Sequence, residues 1–251
     1  TLLDCAVQFE APGTGRFSLV VSNDLRIDGA TAALGLEDLN CGGDLILTNG
    51  GCLSAYSGST NGPVDYGAWV GVTGSIQIGA ASWIYPYSDT NGGSALFQVG
   101  SLSIDTNAGS NATGKGFPSS AGPGAPVSAG VSYGAGAGYG GRGGNSYVDD
   151  NIGGTNWGST NAPMAPGSGG QRGSVAGPSG GSGGGFVRVE AAGRVTINGS
   201  VTARGEDSSY IYDGAGSGGG HFHRRTATSP GAAHIARWFC RRPEPRGRDQ
   251  R

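Results

Sequence analysis

Apolar and polar positions alternate along this chain in very short runs, and glycine or an Asp-Gly or Asn-Gly pair ends most of them. Between Ser182 and Gly205, Phe186 or Val187 alternates with Val189, Val195 with Ile197 and Val201 with Ala203, while Gly193, Gly199 and Gly205 separate them at a spacing of six. A period of two predicts strands. Glycine beside Asp or Asn tolerates positive φ and predicts the turns. Strands of an antiparallel sandwich usually run about five or six residues. Shorter strands with glycine at regular corners fit the sides of a small repeating unit.

The repeat is visible directly. Shifting Arg16–Gly35 by 170 positions sets Phe17 on Val187, Leu19 on Val189, Leu25 on Val195 and Ile27 on Ile197. Further along it sets Asp28-Gly29 on Asn198-Gly199, Thr31 on Val201, Ala33 on Ala203 and Gly35 on Gly205. Looser copies carry Leu45/Leu47 with Leu53/Ala55, Val70/Val72 with Ile76/Ile78, and Phe97/Val99 with Leu102/Ile104. A unit this small cannot bury its inner face alone, so copies must stack and pair strand on strand. The pattern predicts an all-β parallel β-helix or related β-solenoid. Leu19, Leu25, Ile27, Val189, Val195, Ile197 and Val201 are expected to face inward and be buried.

Composition adds the second feature. The chain has 251 residues and 53 glycines, with 14% charged residues, and Lys115 and Met164 are its single lysine and methionine. Helix formers are too sparse for helices of any length. Residues 106–185 hold 26 glycines in 80 positions. Tyr133, Tyr139, Tyr147 and Trp157 within them are unusual for a flexible linker, and a structureless loop of this length is rare in a compact domain. The expected organisation is N-terminal coils over 1–105, an ordered glycine-rich excursion over 106–185 resting on the side of the stack, and further coils over 186–220.

Residues 221–251 differ. They carry eight arginines against two acids, whereas residues 1–220 carry eight basic against sixteen acidic side chains. The alternation stops at His221, inside a repeat unit, so this stretch reads as a basic tail, disordered or produced by a shifted reading frame. The chain opens at Thr1 without an initiating methionine, which reads as part of a larger chain. No apolar run reaches the length of a membrane span. Cys41 and Cys52 are near enough in sequence to pair or can stand as buried thiols, and Cys5 and Cys240 complete the set.

The run GGSGGGFVRVEAAGRVTINGSVTARG, followed by GAGSGGG, resembles the glycine-rich β-helical modules of large secreted and cell-surface proteins of the pectin-lyase-like type. GAGYGGRGGNS and NWGSTNAPMAPGSGG extend the likeness over 133–220. It implies a right-handed β-helix, an extracellular or cell-surface location, and an adhesive or structural role toward a carbohydrate or a surface protein.

Candidate chemistry is sparse. If the chain were a polysaccharide lyase or hydrolase, the adjacent pair Asp149 and Asp150 would be its acid and base, but it sits in glycine-rich context rather than on a strand. Asp89 with Asn91, and Asp105 with Asn107, place oxygen ligands two apart and are weak calcium candidates; Asx turns account for both without a metal. GAGAGYGG loosely matches a phosphate-binding loop, yet no helix follows it. No cofactor and no nucleic-acid partner is expected.

Overall fold

The computed structural model describes residues 2–3, 6–9, 18–35, 38–59, 65–127, 133–146, 152–159, 163–173, 179–208 and 212–225. Among these residues there is no helix. In chain order the strands are β1 (Leu2–Leu3), β2 (Ala6–Phe9), β3 (Ser18–Val21), β4 (Leu25–Asp28), β5 (Thr31–Leu34), β6 (Asp38–Cys41), β7 (Leu45–Thr48) and β8 (Cys52–Tyr56). Then follow β9 (Ala68–Ile78), β10 (Trp83–Tyr87), β11 (Ala95–Ile104), β12 (Gly109–Asn111), β13 (Val187–Ala191), β14 (Val195–Ile197), β15 (Ser200–Thr202) and β16 (His221–Arg225).

They form two parallel sheets. The first holds ten strands in the order β1-β4-β7-β9-β11-β13-β16, with β6 also beside β9, β3 beside β6, and β14 beside β11. The second holds six, in the order β15-β12-β10-β8-β5-β2. Parallel neighbours require a crossover, and here the crossover passes through the other sheet. The chain makes two segments of the first sheet and one strand of the second, then begins again: β3, β4, β5, followed by β6, β7, β8. In β9 and β11 the two first-sheet segments run on as one strand, with a register shift between Val99 and Ser101.

Register converts the sequence repeat into columns. Leu19, Leu39, Val70, Phe97 and Val189 are successive partners across the first sheet. Leu25, Leu45, Ile76, Leu102 and Val195 make a second column. On the second sheet Ala32, Leu53, Ile84, Ser110 and Val201 follow one another. Side chains from both sheets belong to one apolar cluster, in which Ile27, Leu39, Leu45, Leu47, Leu53 and Val70 are wholly inaccessible. Each fully buried side chain of this size contributes about 1.5–3 kcal/mol.

Two sequence expectations need correction. Thr31 does not stand on Val201; Ala32 does, and Thr31 shares its column with Ser200. The corner between Ile197 and Val201 is one residue shorter than that between Ile27 and Ala32, so the apolar pattern slips there by one. Ile27 and Val189 are buried, whereas Leu19, Leu25, Val195, Ile197 and Val201 are half-buried against the cluster. Among the described residues β3, β14 and β15 each have a strand on one side only, and a column's last member keeps an open flank.

The stretch read as a tail begins with a strand: β16 pairs from His221 to Arg225 with Val187 to Ala191. Residues 226–251 lie outside the described residues.

The glycine-rich segments are hydrogen-bonded through their main chains. The N–H groups of Gly167 and Gly170 donate to the carbonyls of Gly184 and Gly181, at 2.7 and 2.8 Å. The carbonyls of Ser168 and Gln171 accept from the N–H groups of Ser217 and Gly214, and Gly169 donates to Ala121. Neighbours thus recur every third residue, the period of polyproline II backbone, and not every second, as in a strand. Residues 203–208 and 212–220 belong to this bundle too, since Gly181 and Gly184 donate to Gly214 and Ser217. The segments continue the strands: Gly185 donates to Ala112, Gly219 to Ala203 and Val187 to Gly220. Glycine is needed because the backbones nearly touch; a side-chain carbon on Gly183 would collide with the Gly167 carbonyl. The aromatic rings pack mainly on one another, Phe117 and Tyr139 edge-on to Trp157 at 6.2 and 5.5 Å, and Tyr133 on Tyr212 at 4.8 Å. Tyr147 lies outside the described residues.

Candidate functional site

Burial alternates along β8 and β10, with Leu53, Ala55, Ile84 and Pro86 turned to the core. The intervening positions turn outward, so β10 presents Trp83, Tyr85 and Tyr87 in a row on the outer face of the second sheet. Tyr56 is the register partner of Tyr87, and the two rings stack with centroids 4.3 Å apart and planes 18° apart. Tyr56 is 42% exposed. Lys115 Nζ stands 4.4 Å from the Tyr87 centroid, a cation–π contact. Trp83 is paired with Gly109, and its indole covers that glycine so closely that a side-chain carbon there would touch the ring. Burial pushes the Tyr56 hydroxyl above its ordinary pKa, helped by Tyr87 beside it. Burial does the same for Tyr85, with Cys52 and Tyr87 adding to it. Both phenols therefore stay neutral well into the alkaline range.

The strands beside this row are polar but uncharged on the same face. β8 offers Cys52 and Ser54, β5 Thr31, β12 Asn111 and β15 Thr202. Asn111 Oδ1 accepts from the Thr113 N–H at 2.9 Å and the Thr202 hydroxyl at 3.0 Å. The Cys52 thiol donates to the Gly50 carbonyl at 3.4 Å. Its pKa is raised by burial, with the Trp83 N–H opposing in part, which leaves little thiolate for nucleophilic chemistry.

The outer face of the first sheet is different. A shallow groove of about 400 Å³ runs across β7, β9 and β11, lined by Ile46, Thr48, Ser75, Gln77, Ser103 and Asp105. At its margin the Asp44 carboxylate accepts from the Ser75 N–H at 2.7 Å, the Ser75 hydroxyl at 3.0 Å and Gln77 Nε2 at 3.1 Å. Charges are paired on this sheet: Arg188 meets Asp65 and Glu190, each at 2.9 Å, and Arg26 lies 3.6 Å from Asp28. Carboxylates already satisfied in this way hold backbone together and have little left for an incoming group.

Of the residues singled out from sequence, Asp149 and Asp150 lie outside the described residues. The calcium candidates are turn residues. The Asp89 carboxylate accepts from the Asn91 N–H at 2.9 Å, an Asx turn. The Asp105 carbonyl accepts from the Ala108 N–H at 3.2 Å, and Asn107 has φ +59°. Among the described residues no three His, Cys, Asp or Glu side chains gather as metal ligands would. Cys41 and Cys52 are both free, Cys41 facing the core from the first sheet and Cys52 lying on the outer face of the second. The aromatic row itself was missed from sequence, although Trp83, Tyr85 and Tyr87 stand at the two-residue spacing of one strand face.

Among the described residues no helix is long and apolar enough to cross a membrane. No protein family matches this chain, and no curated protein or solved structure matches it either.

Proposed function

We propose that the chain is a non-enzymatic structural or adhesive module of an extracellular or cell-surface protein, built as a right-handed parallel β-helix. The observation that carries this reading is the set of columns: residues as far apart as Leu19 and Val189 fall on one register line through three intermediate strands. A stack held this way is rigid and presents flat outer faces, on which partners can be bound along the length of the sheets. Its polar groups are engaged mainly in holding main chain, as at Asp44 and Asp89. The low charge and high glycine content of the chain, and its likeness to glycine-rich surface modules, support the location.

The test is retention against turnover. The purified chain is passed over immobilised cell-surface polysaccharides and surface proteins, and the same polysaccharides are assayed for new reducing ends and unsaturated products. Retention without product is expected. Product release that disappears in Asp149→Ala or Asp150→Ala makes the chain a polysaccharide lyase or hydrolase and overturns the proposal.

A further inference from the structure

We propose that the outer face of the second sheet, centred on Trp83 and Tyr56, is a binding site for a neutral linear polysaccharide. This rests on the adhesive reading above and names the ligand and the face.

The rings supply the first half of the argument. Trp83, Tyr85 and Tyr87 follow one another along β10 at two-residue steps, which sets them about 6.6 Å apart on one face. Tyr56 stacks on one face of Tyr87 and Lys115 stands over the other, so Tyr87 backs the row and the 42% exposed Tyr56 offers its open side. The ring faces of sugars carry C–H bonds that pack on aromatic rings, and rings spaced along a strand accept units of an extended chain. The flanks supply the second half. Thr31 and Ser54 on one side, and Asn111 and Thr202 on the other, offer hydroxyl and amide groups. Asn111 uses its oxygen internally, so its Nδ2 is the donor it can offer to a sugar hydroxyl.

Charge selects among glycans. The outward positions of β5, β8, β10, β12 and β15 carry no ionised side chain, in contrast to Arg26, Asp28, Arg188 and Glu190 on the first sheet. Lys115 over Tyr87 and the exposed Arg204, the next outward position after Thr202, stand at the margin. A polyuronate bears a carboxylate on every sugar, and those over the rings would lie on this face without a counter-charge, an unfavourable desolvation. A neutral chain meets no such penalty. A protein partner would leave most of its rim charges unpaired for the same reason.

The full chain is run in native gels containing soluble neutral glucan, xylan or mannan, and in parallel gels containing polygalacturonate or alginate. Retardation by at least one neutral polymer and by neither acidic polymer is expected. Trp83→Ala and Tyr56→Ala should each weaken binding by about tenfold, the scale of one lost aromatic contact. Gln77→Ala in the groove of the first sheet should leave it unchanged. Circular dichroism and melting temperature check the fold, and Tyr56→Ala removes an exposed ring should Trp83→Ala prove unstable. Retardation by the acidic polymers that Lys115→Gln abolishes overturns the proposal. So does undiminished binding in folded Trp83→Ala and Tyr56→Ala, or no retardation by any neutral polymer. A chain that adheres to surface proteins yet ignores every polysaccharide keeps the adhesive reading and loses this one. A chain that degrades a neutral polymer it grips through Trp83 does the reverse.

Discussion

Ile27 and Ile197 stand in one column of the first sheet, 170 residues apart in the chain and linked in register through Leu47, Ile78 and Ile104. The middle members are nearly inaccessible and Ile197 is half-buried. A column therefore has a strong centre and a weaker end. Ile78→Ala should lower unfolding free energy by about 2–5 kcal/mol, and Ile197→Ala by less than half as much. Urea titrations of the two variants measure this, and equal losses would contradict the register.

The glycine-rich bundle makes a sharper prediction. A side chain at Gly183 meets the Gly167 carbonyl, and one at Gly154 meets the Gly124 carbonyl, whereas Gly141 and Gly144 have open space around them. Gly183→Ala and Gly154→Ala should each destabilise by about 3 kcal/mol or more, since backbone must move. Gly141→Ala and Gly144→Ala should stay within about 0.5 kcal/mol of the parent. Thermal melts that rank all four alike would show that the segments are not packed main chain on main chain.

Truncation tests the last strand. A chain ending at Arg225 keeps the five register pairs between β16 and β13, and a chain ending at Gly220 loses them. The shorter chain should melt at the lower temperature and aggregate faster, because the edge of β13 is then unpaired. Identical melting of the two would mean that β16 adds nothing to the sheet.

Acid should weaken the same region. His221 has its Nε2 buried without a hydrogen-bond partner among the described residues. Burial lowers its pKa, and a contact to the Thr202 backbone opposes this in part. The folded chain thus prefers the neutral imidazole more than the unfolded chain does. The unfolded chain takes up the proton first as pH falls, so stability is full above the ordinary histidine value of about 6.5 and declines below it toward the folded pKa. Melting temperature should drop between pH 7.5 and 5.5, and His221→Gln should flatten that slope. An unchanged slope in the variant would place the titrating group elsewhere.

The columns were legible in sequence because apolar pairs two residues apart recur along the chain, and Leu25 with Ile27 and Val195 with Ile197 each have glycine two residues behind, at Gly29 and Gly199. The slip at the last corner was not, since Thr31 over Val201 and Ala32 over Val201 are equally plausible as apolar alternations and only backbone pairing separates them. Pro86, between Tyr85 and Tyr87, argues against a strand interior and masks the alternation of the aromatic row. The three-residue period of the bundle left almost no side-chain signal. Its contacts are carbonyl to N–H, and a run of glycines looks the same whether packed or loose.

The molecule thus joins two materials with opposite thermal character. Unfolding the sheets exposes Val, Ile and Leu, and apolar exposure raises heat capacity by about 0.45 cal/K/mol per Å². Unfolding the bundle exposes mainly peptide groups, and polar exposure lowers heat capacity by about 0.26 in the same units. Cooling weakens the attraction that holds the sheets while leaving the glycine segments' hydrogen bonds in place. The chain's stability should consequently vary less with temperature than that of a domain of equal length held by apolar burial alone, and the two parts should give way at opposite ends of the temperature scale.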